Sequence, residues 1–218
     1  MPRRALVEHR PWLVLSLLAG VTYFFASDDP IGGLWLIVWK GAGVGFLAAY
    51  AAFRTKGVDG ALIALVMALG AAGDMALELD LVAGGALFAL GHVVAIGLYL
   101  RNPRRKVVAS QVAAGAALLI MTPAIAGSLV YPLPNWVVAT VYSAFVGAMA
   151  AAAWTSRFPR YRVGTGAVMF VASDLLIFAR EGGMLPDLVT GWLIWPLYYG
   201  GQFLIAVGVV QTLRKGSA

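Results

Sequence analysis

The 218-residue chain has no cysteine, which excludes disulfides, thiolate nucleophiles and cysteine metal sites. Charge is nearly as scarce: Asp, Glu, Lys and Arg make up 12% of the residues, against the roughly 25% of soluble domains. Histidine occurs only at His9 and His92. What fills the chain instead is apolar, with 61% hydrophobic residues and a mean hydropathy of +0.84. Apolar runs long enough to cross a hydrocarbon core of about 30 Å, needing about 20 helical residues each, recur along the whole length. They leave no room for a separate soluble domain. The composition is that of an all-α, polytopic membrane protein forming one integral membrane domain over residues 1–218.

Acid is scarcer than base, and the formal net charge is +6. The basic residues are spread over short loops and form no patch or helix, so they read as topology signals and argue against a nucleic-acid partner. The start, "MPRRALVEHRPWLVLSLLAGVTYFFA", has the basic and apolar regions of a signal peptide. Large residues end it where a cleavage site needs small ones, so it reads as a retained first span.

Apolar runs between charged or Pro/Gly breaks predict a bundle of eight transmembrane helices at about 11–27, 33–53, 59–79, 82–101, 107–127, 134–155, 162–180 and 189–213. Fourteen of the 16 basic residues then fall on one side, from Arg3, Arg4 and Arg10 before the first span to Arg214 and Lys215 after the last. The opposite loops, "SDDP", "LDLVAGG", "SLVYPLPN" and "EGGMLPD", are acidic or neutral. Lys and Arg loops stay on the cytoplasmic side, which places both termini there, in the cell (inner) membrane.

Against this background the stretch "AAGDMALELD", residues 71–80, raises a question, because it sets Asp74, Glu78 and Asp80 at the end of an apolar span. A charge near the bilayer centre costs about 2.5–3.5 kcal/mol on insertion scales and marks a functional position or a partnered one. At 1.5 Å per residue, Asp74 and Asp174 both fall in the non-cytoplasmic half of their spans. Lys40 lies at a comparable level on the second span, His92 near the middle of the fourth, and Tyr198, Tyr199 and Gln202 in the upper and central part of the eighth. One reading is structural: each aspartate pairs with Lys40 or Arg180, or bonds Tyr and Gln, and locks helices together. The other is chemical, since two carboxylates sharing an apolar site hold their protons unequally and serve as acid and base.

Lys40 suits a counter-ion to a carboxylate or a clamp for a phosphate, and Tyr142, Tyr198, Tyr199 and Gln202 suit helix-to-helix hydrogen bonds. Glu78 and Asp80 are expected in solvent at the interface, and Arg180 with Glu181 as a helix-end pair. His9 is on the tail, so a shared metal site with His92 is not expected, and no metal or cofactor is called for. "GD" at 73–74 and "SD" at 173–174 also raise the possibility of two parallel four-span halves.

These residues resemble those of the lysoplasmalogenase (YhhN-type) family of multi-pass membrane hydrolases. The resemblance rests on "WKGAG", where the family more often has Lys-Pro; on "GDMAL" followed by "FALGHVVAIGLY"; on "VYSAFVGAM"; on "GAVMFVASDLLIFA"; and on "LYYGGQFLIAVG". It implies hydrolysis of the vinyl ether of an alkenyl lysophospholipid, giving a fatty aldehyde and glycerophosphoethanolamine or glycerophosphocholine. Asp74 and Asp174 match the family's two aspartates, and Lys40, His92, Tyr199 and Gln202 its other polar positions. Substrate lysophospholipid and membrane lipids are then the expected partners.

Two rival classes share the intramembrane carboxylates. An intramembrane aspartyl protease would need Gly-x-Gly-Asp, but position 71 is Ala71, and there is no Pro-Ala-Leu stretch. A proton- or solute-coupled transporter would favour broken helices at matching places in the two halves, whereas Pro123 and Pro196 do not correspond.

Overall fold

A computed structural model describes residues 11–26 and 33–216. Arg3, Arg4, His9, Arg10 and the "SDDP" loop lie outside the described residues. Eight α-helices follow one another: α1 (Pro11–Ala26), α2 (Leu34–Arg54), α3 (Gly57–Leu77), α4 (Leu81–Arg101), α5 (Ala109–Val130), α6 (Trp136–Thr155), α7 (Thr165–Glu181) and α8 (Asp187–Lys215). A π-helical turn, Arg160–Gly164, leads into α7. No strand occurs among the described residues; Pro103 and Ser156 form one isolated bridge. Seven helices, α2 to α6, α7 with its leading π-turn, and α8, are long and apolar enough to cross a membrane. The apolar α1, with 16 residues, is shorter. The chain is thus an all-α membrane protein.

Two compact units are distinguished, one comprising Met1–Val94 with Leu213–Ala218, the other Ala95–Thr212. In the first, α1, α2 and α3 pack in sequence. Lipid gives little hydrophobic drive for helices to associate, so small residues that let backbones approach do much of that work. A side-chain carbon at Gly41 of α2 would lie 3.1 Å from the Ala71 carbonyl and 2.6 Å from Met75 on α3. Ser16 of α1 donates to the Gly43 carbonyl (2.6 Å), and the Trp12 ring stacks on Phe46 and Phe53. The α2–α3 connection is only Thr55 and Lys56. Gly57, at φ +77°, sits in the left-handed region that side chains disfavour, which lets so short a turn reverse the chain. Gly73 of α3 lies against the Phe88 ring of α4, where an added carbon would be 2.9 Å away.

In the second unit α5, α6 and α7 pack on one another, and α8 approaches α7 through paired glycines. A side-chain carbon at Gly166 would lie 2.6 Å from the Gly201 carbonyl, and one at Gly201 the same distance from the Gly166 carbonyl. At one end of this unit two basic loops are knitted together. Arg157 donates through its backbone N–H to the Asn102 carbonyl (2.8 Å) and through Nε to Asn102 Oδ1 (2.6 Å). Arg104 donates to the carbonyls of Ser156 (3.1 Å) and Phe158 (3.0 Å). Arg162 reaches Gln211 of α8. The loops carrying Arg104, Arg105 and Lys106 and Arg157 to Arg162 therefore share one end, as the charge pattern requires.

Candidate active site

The first unit holds Lys40, Asp74 and His92. Asp74, one turn before the end of α3, is buried at 2% exposure, and His92 on α4 at 4%. Lys40, near the start of α2, forms a 2.5 Å ion pair with Glu78. Its side chain is 16% exposed and that of Glu78 38%. The counter-ion of Lys40 is therefore Glu78, not Asp74. Four residues along a helix return to nearly the same face, which sets Glu78 one turn beyond Asp74. Asp80 is exposed as expected and also caps α4, its Oδ1 accepting the Ala83 backbone N–H at 2.6 Å. The three carboxylates of residues 71–80 thus separate into one buried, one ion-paired and one capping.

The second unit holds Tyr142, Asp174, Tyr199 and Gln202. Asp174, on α7, is 6% exposed and accepts a 2.9 Å hydrogen bond from the Tyr142 hydroxyl of α6. The Tyr142 ring meets Phe178, one turn beyond Asp174, edge-on at 6.3 Å. Ser173, beside the aspartate, donates to the Ile194 carbonyl of α8 (3.0 Å), in the stretch preceding Pro196. Gly73 and Ser173, the residues just before the two aspartates, each contact the following helix, one by leaving room for a ring and the other by a hydrogen bond.

On α8, Trp195 stacks on Tyr199 (5.9 Å between centroids, 8° between planes), while Tyr198 meets Phe170 of α7 edge-on at 5.3 Å. Gln202, one turn beyond Tyr199, is 4% exposed. Arg180 and Glu181 end α7 without an ion pair between them among the described residues, because neighbours on a helix point about 100° apart.

An apolar groove of about 390 Å³ runs between α5 and α7, from Ala114 and Trp154 at one end to Ile125 and Leu175 at the other. Leu175 adjoins Asp174 in sequence, and Val171 precedes it by three residues. Among the described residues no three His, Asp or Glu side chains gather as a metal-ligand set.

The sequence does not give the pairing of Glu78 with Lys40, and it offers an aspartate bonded to a tyrosine without saying that the two are Asp174 and Tyr142. The signals for these pairings are the four-residue step from Asp74 to Glu78 and the presence of a tyrosine within the mainly apolar α6. No curated protein and no solved structure matches the chain. A family profile described as the YhhN family matches residues 35–209, a region that contains Lys40, Asp74, Glu78, His92, Tyr142, Asp174, Tyr199 and Gln202, and the chain belongs to that family.

Proposed function

We propose that this protein is a lysoplasmalogenase-type hydrolase, cleaving the vinyl ether of an alkenyl lysophospholipid to a fatty aldehyde and the glycerophospho-base. The supporting observation is a buried carboxylate, Asp174, held by a tyrosine hydroxyl inside an apolar helix of a YhhN family member. Cleavage begins with protonation of the β-carbon of the vinyl ether, leaving an oxocarbenium ion. Water adds to that cation as a base removes its proton, and the resulting hemiacetal collapses to aldehyde and alcohol. The overall change consumes one water and returns the proton.

The reaction needs one group that donates to carbon and one that stabilises the cation and activates water, much as two carboxylates do in glycosidases. Asp74 and Asp174 are proposed for these roles. The Tyr142 hydroxyl fixes the Asp174 carboxyl in orientation. His92, Tyr199 and Gln202, all buried polar side chains, are proposed to orient water or the ether oxygen. The groove beside α7 is lined by apolar side chains apart from Thr122, a surface suited to an aliphatic chain.

All eight helices are proposed to span the cell membrane, with both termini cytoplasmic. At about 24 Å, α1 falls short of a 30 Å core by an amount that local bilayer thinning accommodates. The shared end of the two basic loops in the second unit agrees with that orientation.

The test is incubation of the purified protein with alkenyl, alkyl and acyl lysophospholipids side by side. Aldehyde is expected from the alkenyl compound alone, because only a vinyl ether is protonated at carbon. Full activity in both the Asp74→Asn and the Asp174→Asn variants would refute the mechanism.

A further inference from the structure

The ion pair between Lys40 and Glu78 joins the start of α2 to the end of α3. Its two members are unequally covered. Lys40 is largely enclosed, where an ammonium cannot stand without an anion. Glu78 is 38% exposed and can be hydrated when its partner is withdrawn. The pair is reachable from outside the unit, and α2 is held to α3 without it, through the close backbone contact at Gly41. Asp80, the nearest other carboxylate in the sequence, is committed to capping α4, which leaves Glu78 as the one acid bonded to this lysine among the described residues.

An opposite-charge pair with one enclosed and one accessible member has a defined ligand preference. A phosphate takes over the lysine. Glu78, released but still nearby, then repels a ligand that carries only negative charge and attracts one that also carries a cation. We infer that the Lys40–Glu78 pair is the head-group site of the enzyme, with Lys40 binding the phosphodiester and Glu78 the ammonium of a zwitterionic lysolipid. The assignment rests on the hydrolase reading and deepens it. The resting ion pair is the empty state of the site, and binding exchanges it for two new ion pairs. Each charge keeps a partner throughout. The specificity this gives is for zwitterions over phosphate monoesters.

The experiment uses the full chain in nanodiscs with three alkenyl substrates: the ethanolamine lysolipid, the alkenyl lysophosphatidate, which has a phosphate and no ammonium, and the alkenyl glycerol, which has neither. Aldehyde release gives kcat/KM for each. In Glu78→Gln the preference for the ethanolamine substrate over the lysophosphatidate is expected to fall about tenfold, the size of one charge-assisted contact. Part of that change comes from improved use of the lysophosphatidate. In Lys40→Met, kcat/KM for both phosphate substrates drops about tenfold relative to the alkenyl glycerol.

The exchange Lys40→Glu with Glu78→Lys restores an ion pair, so a purely structural role predicts recovery of the wild-type preference. The head-group role predicts no recovery. Equal fractional changes on all three substrates, or recovery in the exchanged protein, would overturn the assignment. Equilibrium binding of the saturated alkyl analogues, which contain no vinyl ether, repeats the comparison without turnover. Absence of aldehyde from wild-type protein with the same binding preferences would therefore count against the hydrolase and not against the head-group site.

Discussion

Tyr142 of α6 donates a 2.9 Å hydrogen bond to Oδ2 of Asp174 on α7, so the carboxyl is oriented by a neighbouring helix and not by its own. If Asp174 is the acid or the base, Asp174→Asn should lower kcat by about 10²–10⁴-fold, the usual contribution of proton transfer. Tyr142→Phe should cost about tenfold. It should also change the pH profile of turnover, which loss of packing alone would not do. Aldehyde release across pH in the three proteins is the measurement.

Asp80→Ala should separate the carboxylates of residues 71–80 by role. Loss of the cap on Ala83 is expected to cost about 1 kcal/mol of stability, seen as a lower unfolding temperature in detergent. Activity below the unfolding transition should stay near wild type. Asp74→Asn should show the reverse, with turnover lost and stability largely kept.

The glycines predict a contrast within one chemical change. At Gly166 an added carbon meets a backbone carbonyl at 2.6 Å, which cannot move aside as a side chain would. Gly166→Ala should therefore destabilise by about 1–3 kcal/mol. At Gly45 the nearest neighbour is the Ala71 methyl at 3.8 Å, an ordinary contact. Gly45→Ala should be neutral or stabilising by up to about 1 kcal/mol, the helix preference of Ala over Gly. Thermal unfolding of both variants in the same detergent tests the pair.

Because the chain has no cysteine, single introduced cysteines report topology without background. Lys106→Cys and Tyr161→Cys lie in the two loops that share an end, and should label from the same side of the membrane. Met184→Cys, 65% exposed beyond the far end of α7, should label from the other side. Impermeant maleimide on intact cells should reach only the last.

The helix ends were readable because charge and turn residues sit where the backbone leaves the hydrocarbon. The run expected at 59–79 is Gly57–Leu77, and that expected at 134–155 is Trp136–Thr155. The burial of Asp74, His92, Asp174, Tyr199 and Gln202 followed from the same logic, since each is a polar residue inside an apolar run. Side-chain partners were not readable in that way. Which residue faces Lys40 depends on how α2 is rotated against α3, and the close approach at Gly41 and Ala71 sets that rotation. The periodicity of either helix alone does not contain it. Tyr142 looked like helix glue from its sequence, and only the packing of α6 against α7 brings its hydroxyl to a carboxylate.

The links from Asn102 and Arg104 to Ser156, Arg157 and Phe158 have a mechanical consequence. They fasten points up to 55 residues apart, so the α5–α6 hairpin enters and leaves its unit through a single doorway. Those hydrogen bonds need Asn102, Arg104 and residues 156–158 all in place, so the doorway closes only once both helices of the hairpin have been formed between them. A pulling force applied across the two loops would be carried by this small polar clasp.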